Sequence, residues 1–170
     1  MRPIVKWGDP VLHAPSKSVE KIDDEICLLV KDMVDTMYAA PGIGLAAPQI
    51  GVPLRVIVVD LSVGDNPQQL IKLVNPVLLE KDGEQRVEEG CLSAPGFGGT
   101  PVRPVRVKVK GTDLEGNERT YDGTDLLARA FCHEIDHIDG LLFIDRLSPL
   151  RRDLLRRKLR KKAKSADWDD

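Results

Sequence analysis

The stretch Phe131-Cys132-His133-Glu134-Ile135-Asp136-His137-Ile138-Asp139-Gly140 decides how this chain is read. It contains H-E-x-x-H. On a helix, positions i and i+4 stand one above the other, so His133 and His137 offer two imidazole nitrogens to one ion from one face. Glu134 sits about 100° round the helix from His133, close enough to reach a metal-held water without being a ligand. Leu127, Phe131 and Ile135 recur at i, i+4 and i+8 and predict a buried apolar stripe on the same helix. The chain has three histidines, and two of them lie in this motif.

Two histidines do not complete a catalytic metal site, which takes a third protein ligand and keeps one open position. No glutamate follows Glu134, and the position where a third histidine would follow the glycine is Phe143. The common downstream solutions of HExxH peptidases are therefore missing. Aspartates remain downstream; His13, Cys91 and carboxylates remain upstream. Cys91 is favoured among them, because a thiolate is a stronger ligand for borderline metals than a carboxylate. It lies in Glu89-Gly90-Cys91-Leu92-Ser93, at the start of a glycine-rich loop. The cysteines, Cys27, Cys91 and Cys132, are odd in number and show no paired spacing, which argues against a disulfide framework.

At 170 residues with a 42% apolar fraction, the chain predicts a single catalytic domain over 1–170. Aromatics make up only 4%, so aliphatic side chains must fill the core. Charge follows directly after Met1, unlike a signal peptide, and no apolar run is long enough to span a bilayer. The expectation is a soluble, cytoplasmic protein. Its net charge of −2 is unevenly spread: residues 150–170 hold nine Lys and Arg against four Asp, a net of +5, and the rest carries −7. A basic C-terminal helix is expected over 150–164, opened by Ser148-Pro149 with Leu150, Leu154, Leu155 and Leu159 as its apolar residues, and 165–170 as a disordered tail. Such a helix suits a polyanion.

Helical spacing of Ile26, Leu29, Val30, Met33, Val34 and Met37 predicts a helix from Asp24 to Tyr38, stopped by Pro41-Gly42. Leu54–Asp60 reads as a β-branched strand. Ile71–Glu80 reads as a second, with an edge or bulge at Asn75-Pro76 because proline cannot donate to a ladder. Val105, Val107 and Val109 alternate with basic residues as a half-exposed strand, and Glu115-Gly116-Asn117 turns it back. Thr124 is expected to cap the metal helix and Gly140 to end it. The class is α+β: mixed or antiparallel sheets around a central metal-binding helix, with an N-terminal and a C-terminal helix.

The sequence resembles the bacterial peptide deformylases, which carry G-φ-G-φ-A-A-x-Q, E-G-C-φ-S and H-E-φ-D-H in that order (φ is apolar). All three stand here, at Gly42–Gln49, Glu89–Ser93 and His133–His137. The resemblance implies Cys91, His133 and His137 as metal ligands and Glu134 as general base and then acid. It implies removal of the formyl group from the N-terminal formyl-methionine of new polypeptides. The Leu92 backbone N–H and the Gln49 amide are the expected oxyanion donors, and losing one such donor typically costs about 3 kcal/mol of transition-state stabilisation. The substrate peptide is expected to pair as an added strand near Gly44 and the Gly96–Gly99 loop. Ile43, Val87 and Leu126 are expected to wall the methionine pocket, and Arg129 either to line its mouth or to snorkel outward. Glu89 and Arg103 are expected to pair, either bracing the Cys91 loop or as an ordinary surface ion pair, Cys132 to be packing, and His13 to be a solvated loop residue.

The ligand set suits Zn²⁺, Fe²⁺, Co²⁺ or Ni²⁺, and the resemblance points to Fe²⁺. Expected partners are N-formyl-methionyl nascent peptides and, through the basic helix, ribosomal RNA near the exit tunnel. DNA and membranes are not expected partners, and a monomer is expected. The competing readings are another Cys-His-His metallopeptidase or amidohydrolase, and a non-enzymatic metal-binding protein of the ribosome.

Overall fold

The computed structural model describes Met1 to Trp168; Asp169 and Asp170, the end of the expected tail, lie outside the described residues. Helix α1 (Asp24–Ala39) starts where Asp23 accepts a hydrogen bond from the Ile26 N–H, with Asp24 and Glu25 in its first turn. Capping by an aspartate and acidic residues at the positive end of the helix dipole both favour this start. The helix leads into strand β1 (Gly44–Ala46), and β2 (Val56–Val59) and β3 (Ile71–Asp82) follow. Short strands β4 (Gln85–Arg86), β5 (Glu89–Gly90), β6 (Gly98–Gly99) and β7 (Val102–Arg103) come next. Then come β8 (Arg106–Thr112), β9 (Glu118–Thr124), helix α2 (Leu126–Ile138) and helix α3 (Pro149–Ser165).

The main sheet runs β1-β2-β3-β8-β9, antiparallel throughout, while β4 pairs with β7 and β5 with β6. The α+β expectation holds. β2 shows why the sheet is central. Val56 and Val58 pack with α1, and Ile57 and Val59 pack with Phe131, Ile135 and Ile138 of α2. Successive side chains of a strand point to opposite faces, so a run of four β-branched residues is buried on both sides. Each such side chain removed from water contributes roughly 1.5–3 kcal/mol. In β8 only one face is covered, and burial alternates from Arg106 to Thr112.

The Asn75-Pro76 irregularity is a bulge in a central strand. The β3–β8 register shifts between Val74 and Val77, and Asn75 takes a positive φ of 52°. Its side chain accepts from the Val19 N–H and donates to the Val19 carbonyl, each at 2.8 Å. The missing ladder bonds are thus replaced by a pairing with the N-terminal segment.

Three expectations need correction. Thr124 does not cap α2. It is the last residue of β9, and the helix starts after Asp125, whose φ of 52° turns the chain sharply from sheet to helix. Of the four leucines expected on the apolar side of α3, Leu150 and Leu154 are 72% and 49% exposed. The stripe is Leu159 with Leu155, which pack with Leu12, Phe143 and Leu147. Nor is Ser165–Trp168 free of structure: Ser165 closes α3, and Trp168 packs back on the same cluster. An indole that covers apolar surface gains more than it loses in freedom.

Gly140 ends α2 as expected, at φ 81°, and a Cβ there would lie 2.7 Å from the Ala14 backbone. Only glycine meets both demands. This contact presses the N-terminal segment against the exit of the metal helix.

Candidate active site

The site forms where α2 passes between β1 and the segment Glu88–Leu92. Cys91 Sγ lies 3.3 Å from His137 Nε2, which lies 3.2 Å from His133 Nε2. Their donor atoms all fall within 4.8 Å of one another. Bonds of about 2.0–2.1 Å in a tetrahedron place two nitrogens about 3.3 Å apart. The observed spacing therefore suits one ion. The chemistry of the donors agrees. Two N–H groups turn toward the sulfur, from Ser93 at 3.4 Å and from Gln49 Nε2 at 3.6 Å, as suits a thiolate. Burial, then the charges of His133 and Arg103, hold His137 well below the ordinary histidine pKa, in the neutral form a ligand needs.

Glu134 is 4% exposed, and its Oε2 has no hydrogen-bond partner among the described residues. Burial raises its pKa to about 7 against the opposing pull of His133. A Cβ at Gly44 would fall on its carboxylate, with Cγ and Cδ at 3.0 Å. Gly44 thus leaves the room that Glu134 occupies, a role distinct from the strand pairing expected of it.

Gln49 is 1% exposed and fixed at both ends of its amide. Oε1 accepts from the Ala46 N–H at 3.0 Å, and Nε2 donates to Ser93 Oγ at 3.3 Å. The Oε1 bond identifies the oxygen, so the NH₂ faces the cysteine. The glycine-rich motif is therefore a turn that aims one amide at the site.

Behind the ligands stands a buried line of charges. His133 Nδ1 meets Glu89 Oε1 at 2.9 Å, and Arg103 donates to both Glu89 oxygens at 2.8 and 3.1 Å. Burial would raise the Glu89 pKa, but the hydrogen bonds from His133 and Arg103 lower it to about 2. Arg103 also donates to Asp136 at 2.6 Å and is 3% exposed. The expected Glu89–Arg103 pair is present and buried. Its extension through Asp136 to Arg146 was not anticipated, although Asp136 lies inside the H-E-x-x-H motif. Ser93 was missed as well, although it ends the cysteine motif.

In front of the ligands lies a cavity of about 440 Å³. Ile43, Leu126 and Arg129 line it, with Gly44, Gln49, Glu89, Cys91, Leu92, His133 and Glu134. Arg129 donates to Gln85 Oε1 at 2.6 Å, and Gln85 Nε2 donates to the Pro104 and Asp125 carbonyls. Val87 does not line the cavity; it is 41% exposed, and Glu88 lines it instead. Residues 87 and 88 are an irregular link between β4 and β5, so strand alternation does not carry back from Glu89. The Gly96–Gly99 loop is also outside the cavity, and Gly98 and Gly99 already pair with Glu89 and Gly90.

Cys132 and His13 lie apart from the ligands, as expected. Cys132 is buried, and burial raises its thiol pKa to about 11. His13 is exposed and accepts the Gly8 N–H.

Residues 1–153 match the family model described as polypeptide deformylase. A peptide deformylase of Acidobacterium capsulatum is 49% identical over 168 residues, covering 99% of each chain. The crystal structure of a peptide deformylase from Legionella pneumophila superposes with a TM-score of 0.89 at 45% identity, covering 98% of this chain and 97% of that one. That of the Thermus thermophilus enzyme gives 0.89 at 38% identity, covering 98% and 100%. Similarity of this extent, with the three motifs folded onto one cavity, places the chain in the peptide deformylase family.

Proposed function

We propose that this chain removes the formyl group from the N-terminal formyl-methionine of newly made polypeptides by metal-dependent hydrolysis. The observation that carries the reading is the convergence of Cys91, His133 and His137 beside buried Glu134 at the end of a cavity of about 440 Å³. A divalent ion held by those three residues, Fe²⁺ in the cell by the family resemblance and Zn²⁺, Ni²⁺ or Co²⁺ as substitutes, would lower the pKa of water and polarise the formyl carbonyl.

The chain's own residues do the rest. Glu134 takes the proton of the attacking water and passes it to the leaving amine, as a carboxylate without another partner can. Gln49 Nε2 and the Leu92 N–H steady the charge that grows on the formyl oxygen. The buried Glu89–Arg103 pair fixes the ring of His133. Ile43, Leu126 and the stem of Arg129 enclose the methionine side chain. β1 stands at the sheet edge, so the substrate backbone adds as a strand between Gly44 and Glu89–Gly90.

The basic face of α3, with exposed Leu150 and Leu154, suits a phosphate-rich partner such as ribosomal RNA. A single catalytic domain over 1–170, a monomer working in the cytoplasm, completes the reading. No helix of the described residues is long and apolar enough to cross a membrane.

Formate release from formyl-Met-Ala, compared with cleavage of Met-Ala-type peptides, tests the reaction. Formate should appear without cleavage of internal bonds. Internal cleavage with no formate would sink the reading in favour of a peptidase.

A further inference from the structure

We propose that Arg146 is a positioning residue for the metal centre, acting through an unbroken line of hydrogen-bonded charges that ends on the ligand His133. The line starts near the surface. Arg146 NH2 donates to Asp136 Oδ1 at 2.9 Å and Nε to Oδ2 at 3.3 Å. Asp136 Oδ2 also accepts from Arg103 NH1 at 2.6 Å. Arg103 forks onto Glu89, and Glu89 holds His133 Nδ1. Charge alternates from Arg146 to Glu89, so each of these members holds its neighbours in register.

The side chains of Arg103, Glu89 and Asp136 are 3%, 9% and 7% exposed, whereas that of Arg146 is 48% exposed. Behind α2 the line opens to solvent at Arg146, through a cavity of about 210 Å³ that Arg146, Asp136, Arg103 and Cys132 line. The turn that carries Arg146, Phe143–Arg146, also reaches His133 directly. The Phe143 ring stacks on it with centroids 6.5 Å apart and planes 15° from parallel.

Removing Arg146 leaves Asp136 to Arg103 alone. Asp136 then competes with Glu89 for that guanidinium, the fork on Glu89 loosens, and His133 loses the fixed ring orientation a ligand needs. A half-exposed ion pair contributes little to folding, so the consequence falls on the metal rather than on stability.

The inference rests on Cys91, His133 and His137 being the metal ligands. Cobalt-loaded enzyme supplies a readout independent of activity: its visible spectrum and its rate of cobalt loss to a chelator. Arg146→Met is expected to shift the spectrum and speed cobalt loss about tenfold, the low end for partners behind a metal ligand. Arg146→Lys, which keeps the charge and a donor, is expected to restore most of the retention. Arg156→Met removes a pair with Asp145 of the same turn, at 2.7 Å, without touching Asp136, and is expected to behave as wild type. Wild-type cobalt loss and spectrum in Arg146→Met would overturn the proposal, as would equal acceleration in Arg156→Met. A wild-type chain that takes up no cobalt would overturn the metal-site reading itself.

Discussion

Helices α2 and α3 break the usual rule of burial in opposite directions. α2 hides Glu134, Asp136 and His137 in the core, while α3 shows Leu150 and Leu154 to solvent. A buried charge is costly unless paired or working, and exposed leucines need a reason only when they gather. In α2 the cost is met by partners: Arg103 for Asp136, the other ligands for His137, and free space beside Gly44 for Glu134. In α3 the leucines sit among the arginines and lysines of a helix that packs on the body through Leu155 and Leu159 and pairs Arg156 with Asp145. One helix buries polar groups that have partners or space; the other leaves apolar groups in solvent among charges.

Breaking the polar interior of α2 should have the largest effect. Glu134→Ala is expected to lower kcat by about 10²–10⁴-fold while metal content per chain is unchanged; formate release and metal analysis report on the two halves. If turnover survives, Glu134 is not the proton carrier. Arg103→Met leaves the buried Glu89 carboxylate to His133 alone and Asp136 to half-exposed Arg146 alone. Breaking a buried pair costs about 3–5 kcal/mol, which denaturant unfolding would register.

The same comparison can be made inside α3. Leu159 is fully buried, so Leu159→Ala should lose about 2–5 kcal/mol. An intermediate case comes from Asp60, buried beside β2. Burial favours its neutral form, but Ser62, Tyr38 and the Gly64 N–H all donate to it and hold its pKa below the ordinary carboxylate value. Its contribution is therefore present above the unfolded pKa of about 3.9 and lost as pH falls through the lower folded value. The stability gap between wild type and Asp60→Asn should be open at neutral pH and close in acid; a gap that widens in acid would reverse the assigned sign.

Smallest in stability is the exposed pair. Leu150→Ser with Leu154→Ser should change unfolding by less than about 0.5 kcal/mol per site, yet lower co-sedimentation with ribosomes at low salt. An unchanged pellet would make α3 a solubilising face.

Much of this was legible in the chain. The 3.6-residue rhythm of α1 and α2, the proline of the bulge and the alternation of β8 are local patterns, set by chain geometry that needs no partner. Residue chemistry narrowed the metal ligands to a short set led by Cys91. Other features depended on what packs where. Nothing local distinguishes Leu154 from Leu159 on α3, because which face is covered depends on Leu12, Phe143 and Trp168. Val87 and Glu88 could not be ordered about the cavity, because an irregular link breaks the strand alternation between them and Glu89. The sequence by itself determined which side chains could bind an ion and move a proton, since that is fixed by residue type and helical spacing. Only the tertiary structure decided that Cys91 stands 3.3 Å from His137, that Gly44 clears space for Glu134, and that Arg146 reaches His133 through three buried charges. Those are contacts between segments far apart in the chain, and no local pattern encodes their distance.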